Sequence, residues 1–176
     1  MDIFVNKDIK VENGLSVEEI NEIEERYSIK FPKALRLFYM SVLPVSEGFY
    51  NWRDTSPENV EYIKNAINEP FVEFEENAEE VYWNDEWGEE PENTEDIGKY
   101  VLSKIGDAPK LIPIYSHRYM PMGISDNPPV ISVYGVDVIY YGVDLSDYLQ
   151  IEFGFKKPSD IDCSSIQKIP FWSEVM

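Results

Sequence analysis

Ser116, His117 and Cys163 are the residues with which this chain could assemble a nucleophile and a base, and His117 is its single histidine. A Ser-His-acid or Cys-His mechanism needs that imidazole within hydrogen-bond reach of the nucleophile. Ser116 is adjacent, but neighbours on a strand point to opposite faces, so adjacency alone carries no signal. Cys163 can reach His117 only through the fold. The expectation is a polar histidine at a strand end. Zinc sites draw on several His or Cys ligands, and the chain offers two candidates in all. Placing Gly88 at the obligatory glycine of a calcium loop puts Trp83 at the first ligand position, where it cannot coordinate. No Walker or Rossmann glycine pattern is present. We therefore assign no catalytic, cofactor-binding or metal-ligating residue. A carboxylate-dependent hydrolase, which needs only two acids at the right separation, stays open as the least favoured reading.

Acids dominate the chain. It carries 34 Asp and Glu against 15 Lys and Arg, a formal net charge of −19. Binding nucleic acid or an anionic membrane surface needs a basic footprint, so both are excluded as expected partners. Glu69 to Asp96 holds thirteen acidic residues and no basic one, interleaved with Phe71, Phe74, Tyr82, Trp83 and Trp87. Two readings stand side by side. The run is a solvated face, or it is a partner surface, since exposed tryptophan is costly and tryptophan is enriched at binding hot spots. The segment has no cation of its own, which implies self-repulsion. On the partner reading, Trp83 and Trp87 are anchors and Asp85, Glu86, Glu89 and Glu90 a charged rim.

The elements that must position these residues follow from periodicity and turn chemistry. Ser16 and Glu19 form a capping box ahead of Ile20, Ile23 and Tyr27. After a break at Ser28 to Phe31, Pro32 opens a second helix with Leu35, Phe38, Tyr39 and Val42 on one stripe, ended by Pro44. Glu47 to Arg53 reads as a short strand. Ser56 and Pro57 open a third helix with Val60, Ile63 and Ile67 on its face, closed by Asn68 and Pro70. Phe74, Ala78, Val81 and Tyr82 fit a helix, although Phe71 to Phe74 also fits a strand. Thr94 caps a helix whose face is Ile97, Tyr100, Val101 and Ile105. The centre is Lys110 to Leu149. Leu111–Tyr115, Val130–Tyr134 and Val138–Tyr141 read as strands, the last two as an antiparallel hairpin. Pro113 places the first run at a sheet edge or beside a bulge. Asp144 or Ser146 caps a final helix bearing Leu145, Tyr148 and Leu149. Beyond Gly154, Ile166, Ile169, Phe171 and Trp172 are expected to fold back onto the body. Arg118 is expected to pair with a carboxylate and pin the loop before Pro121.

With 43% apolar and 14% aromatic residues, residues 1–176 suffice for one globular domain that buries roughly 70% of its unfolded surface. The single cysteine fits a reducing compartment. The N-terminal MDIFVNKDIK lacks the apolar core of a secretory signal, and no apolar run approaches the roughly 20 residues of a membrane helix. A cytoplasmic location is expected.

The assembled residues resemble the SUKH superfamily, specifically its Smi-Knr family. In the N-terminal part the likeness rests on Ile20, Ile23, Phe31-Pro32, Leu35, Phe38 and Tyr39. In the C-terminal part it rests on Leu111-Ile112-Pro113-Ile114, His117-Arg118-Tyr119, Pro129-Val130, Ser132-Val133-Tyr134 and Asp137 to Gly142, with Trp83 and Trp87-Gly88. It spans Leu15 to Phe153. The glycine usual soon after the second helix is displaced to Gly48. The resemblance implies an α+β fold, with N-terminal helices packed on a mixed or antiparallel β-sheet. It also implies a non-catalytic role. Many bacterial members are immunity proteins that neutralise polymorphic toxins, often nucleases, so the implied partner is a toxin effector domain with a basic surface. Fungal members imply the alternative, a cytoplasmic regulatory or scaffolding protein linked to cell-wall synthesis.

Overall fold

The computed structural model describes residues 8–162, 164 and 166–176. The readings of the N-terminal MDIFVNK and of Cys163 lie outside these residues. The fold is α+β. Among the described residues it has five α-helices: α1 (Val17–Tyr27), α2 (Lys33–Ser41), α3 (Pro57–Asn77), α4 (Thr94–Ile105) and α5 (Leu145–Glu152). A short antiparallel pair joins β1 (Val11–Asn13) to β2 (Val42–Pro44). The main sheet is an antiparallel meander of β3 (Leu111–Tyr115), β4 (Arg118–Pro121), β5 (Val130–Tyr134) and β6 (Asp137–Gly142), in that spatial order.

Alternate side chains of a strand face opposite sides, and in this sheet both sides are apolar. Ile112, Ile114, Met120 and Val130 join Ile20, Leu35, Tyr39, Trp52, Ile63 and Tyr148 in one core, which the N-terminal helices cover. Leu111, Tyr119, Ile131 and Val133 join Phe74, Val101, Ile105, Ile169, Phe171 and Trp172 in a second core on the other side. The C-terminal segment folds back as expected, and the Trp172 indole N–H donates to the Pro109 carbonyl at 2.9 Å. Pro113 sits on the edge strand, and the β3–β4 register shifts between Pro113 and Tyr115, so both of its expected settings occur together.

Buried charge fixes the joints. Glu24, 4% exposed, accepts from the Phe31 backbone N–H at 3.1 Å and pairs with Lys30 and Arg36 at 2.6 and 3.3 Å, locking the break between α1 and α2. Arg118 pairs with Glu152 at 3.2 Å, donates to the Ser132 hydroxyl at 2.9 Å and lies 3.9 Å from the Tyr141 ring centroid, tying the sheet to α5. Gly48 has φ of +89°, and a Cβ there would sit 2.5 Å from the Tyr115 ring, so this loop demands glycine.

Four expectations are corrected. The third helix does not close at Asn68 and Pro70 but runs through Pro70 to Asn77, so Phe71 to Phe74 is helical. Proline removes one intrahelical bond, yet Ile63, Ile67, Pro70 and Phe74 keep a continuous buried stripe that packing rewards. Glu47 to Arg53 is not a strand; it meets the edge strand β3 through one isolated bridge, Phe49 to Tyr115. Val42 lies not on the helix but in β2, paired with Asn13. Arg118 to Pro121, read as a loop, is strand β4, paired on both sides.

The capping box is formed: Ser16 Oγ accepts from the Glu19 N–H at 3.2 Å and the Glu19 carboxylate from the Ser16 N–H at 2.8 Å. Arg53, then that Ser16 N–H, hold the Glu19 carboxyl below its ordinary 4.5. A carboxyl lowered in the folded state adds stability above its unfolded value, which is lost as pH falls through the lowered one. Ser16→Ala should cost about 1 kcal/mol in urea unfolding at neutral pH. Glu19→Gln should destabilise the protein at pH 7 and flatten the loss of stability below pH 4.5. An unchanged acid limb would contradict the assignment.

Candidate functional site

The acidic aromatic segment is folded and clamped. After α3, Ala78 to Glu80 forms a 3-10 turn, and Asp85 to Trp87 forms another that Asn84 caps. Trp83 packs edge-on against Trp87 with centroids 5.2 Å apart, and both rings rest on Tyr100 of α4 at 4.9 and 5.3 Å. The indole N–H of Trp83 donates to the Gly88 carbonyl, and that of Trp87 to the Glu174 carboxylate, each at 2.9 Å. The Asn84 side-chain amide donates to the Glu174 carbonyl at 2.7 Å. Lys104 pairs with Glu174 at 3.2 Å and sits 5.4 Å from the Tyr100 centroid. The two tryptophans are half-buried and their polar ends bond internally. Asp85, Glu86, Glu89 and Glu90 are exposed. Tyr82, grouped with a helical face in the sequence, is 93% exposed and is the aromatic that stands clear of the body.

The expected self-repulsion is partly relieved from elsewhere in the chain. Lys168 reaches Glu86 at 3.6 Å, and Lys99 pairs with Glu95 and Asp96 at 2.8 and 3.2 Å. These pairs are exposed and weak, so the face stays negative.

A second concavity was not legible in the sequence. It lies between α3, the β3–β4 turn and the β5–β6 turn, has a volume of about 630 Å³, and continues into a neighbouring hollow of 320 Å³. Tyr50 and Tyr62 form a stacked wall, 5.4 Å between centroids and 21° between planes. His117 and Tyr134 meet edge-on at 5.6 Å. Glu69 and Glu73 stand one helical turn apart on α3 and line both hollows. Among the described residues no Lys or Arg lines either hollow. The wall is built in: the Tyr50 hydroxyl donates to the Ser116 carbonyl at 2.8 Å, and the Ser116 N–H donates to Gly48 at 2.7 Å.

Ser116 and His117 form the β3–β4 turn and do not lie on a strand. With Ser116 at φ of +48°, its Oγ lies 3.1 Å from His117 Nδ1. Burial, then the charge of Arg118, hold the imidazole below its ordinary 6.5. Burial first, then the charge of and a hydrogen bond to Glu69, push the Tyr119 hydroxyl up, with Tyr62 and Glu73 adding to it.

A paired-carboxylate hydrolase wants two acids facing a cleft, one of them desolvated enough to stay protonated. Glu69 is exposed and Glu73 only half-buried. The buried acids, Glu24 and Asp147, are both engaged, Asp147 with Lys156 and the Val143 N–H. Among the described residues no cluster of three or more His, Cys, Asp or Glu could hold a metal ion. Nor is any helix there long and apolar enough to cross a membrane.

Set against protein-family models, curated proteins and solved structures, the chain matches none.

Glu174 carries the clamp. The Trp87 indole N–H, then the Phe171 N–H and Lys104, hold its carboxyl below the ordinary 4.5 against the opposing effect of burial. Hydrogen bonds to a charged group contribute about 1.5–3 kcal/mol. Glu174→Gln should therefore raise hydrogen exchange of the 83–88 amides by about tenfold or more, with the sheet still protected. Unaltered exchange at 83–88 would show that the clamp does not hold the loop.

Proposed function

We propose that this chain is a non-catalytic protein-binding domain of the SUKH, Smi-Knr type that acts in the cytoplasm as an immunity protein. Its partner is a toxin effector domain with a basic surface, a nuclease domain being the natural fit. The observation that carries the reading is the clamped loop. Four exposed carboxylates, Asp85, Glu86, Glu89 and Glu90, and the exposed Tyr82 stand on a scaffold held by Trp83, Trp87, Tyr100 and Glu174. A face ordered before binding loses little conformational freedom on docking, which favours affinity. An enzyme that handles nucleic acid presents cationic, phosphate-seeking groups, and an acidic face competes for them by complementary charge.

The α+β architecture agrees with what the family resemblance implies, and most of its motifs fall on α1, α2 and the meander, with Trp83 and Trp87-Gly88 in the acidic loop. The single cysteine supports the cytoplasmic placement.

Co-expression with the toxin encoded beside the gene tests the proposal. Cells carrying both should grow, and cells carrying the toxin alone should die. Changing Asp85, Glu86, Glu89 and Glu90 together to Lys should lower the association rate at low salt by about tenfold or more while circular dichroism stays unchanged. Equal rescue by an unrelated acidic protein, or affinity and salt dependence unaffected by the four reversals, would overturn it.

A further inference from the structure

Resting on the reading of the chain as a protein binder, we infer that the cleft between α3 and the two sheet turns receives an arginine side chain of the partner. The site is distinct from the acidic loop. Three features of the cleft converge on a planar cation. Its lining is aromatic: Tyr50 and Tyr62 stack, and the edge-on pair of Tyr134 and His117 lines it too. A guanidinium lies flat on such faces and is attracted by their electron density.

Its charge is negative and uncompensated by the lining. Glu69 and Glu73 come from successive turns of α3; Glu69 bonds the Tyr119 hydroxyl, and Glu73 accepts a long contact of 3.4 Å from Asn77 Nδ2. Arg118, which follows His117 in the chain, is occupied by Glu152, Ser132 and Tyr141. Burial holds the His117 imidazole below its ordinary 6.5, which favours the neutral ring at neutral pH. Two carboxylates one turn apart offer a forked donor several acceptor oxygens.

Finally, the rim is apolar and open. Tyr62 is 52% exposed, Val72 45% and Tyr134 75%. An exposed apolar rim around a charged recess fits a protein surface that seals water away from a buried anchor. Arginine is enriched among such anchors, and its aliphatic stem would cross the Val72 and Tyr62 lip.

The test needs no toxin. The ¹⁵N-labelled full chain is titrated with three acetylated, amidated tripeptides, Ala-X-Ala, where X is arginine, lysine or citrulline, the neutral isostere of arginine. Arginine should shift the amides of Ser116, His117, Tyr134 and Gly135 and of residues 62–73 saturably. Citrulline should bind at least about tenfold more weakly, and so should arginine to the Glu69→Gln, Glu73→Gln double variant. Both glutamates are solvent-accessible, and an unchanged circular dichroism spectrum confirms that the variant folds. No saturable shift, equal binding of citrulline, or full binding by the double variant would overturn the inference. Lysine binding as well as arginine would overturn its guanidinium element. Because the loop reversals are read on the toxin complex and this titration on the chain alone, either proposal can fail without the other.

Discussion

An antiparallel meander with apolar side chains on both faces must be covered on both faces, and most of this architecture follows from that constraint. Ile112, Met120 and Val130 face one way, while Leu111, Tyr119, Ile131 and Val133 face the other. The N-terminal helices cover the first face. The second is left to Phe74 of α3, to α4 and to the C-terminal segment around Trp172. Helix α3 serves both sides, with Ile63 and Ile67 in one core and Phe74 in the other. That double duty explains why it continues through Pro70. A helix stopped at the proline would leave Phe74 without its place against Phe171 and Trp172.

The acidic loop is a by-product of the same packing. Once the C-terminal segment is needed over the second core, Glu174 arrives beside Trp87, Asn84 and Lys104. Residues that look like a solvated charge run thereby gain a fixed shape. The cleft has a similar origin. Continuing α3 past Pro70 adds Val72 and Glu73 to a lining that already holds Tyr62 and Glu69, so the helical overrun supplies the second carboxylate of the cleft.

What could be read from the residues was whatever is local. The capping box at Ser16 and Glu19, the hairpin of β5 and β6, the Asp144 cap and the setting of Pro113 depend on neighbours a few positions away. Strand β4 was hidden because Arg118 and Pro121 interrupt its apolar signal; its pairing comes from β3 and β5 on either side. Pro70 misled because its local meaning is a stop, and only the distant stripe through Phe74 overrules it. The acidic loop was visible as composition, but the turning inward of Trp83 and Trp87, and the exposure of Tyr82, depend on Tyr100 and Glu174. The cleft was invisible, since Tyr50, Tyr62, Glu69, Glu73, His117 and Tyr134 come from four separate stretches. Had the helix been continued, the spacing of Glu69 and Glu73 would have placed them on one face.

The central claim is that this molecule acts by presenting ordered negative charge to a basic protein. It is tested most directly by the association and dissociation rates of the wild-type chain with the proposed toxin partner across ionic strength. From about 0.01 M to about 1 M salt the Debye length shrinks from about 30 Å to about 3 Å. The account predicts an association rate that falls steeply over that range while dissociation changes little. An association rate flat across the same range would contradict it.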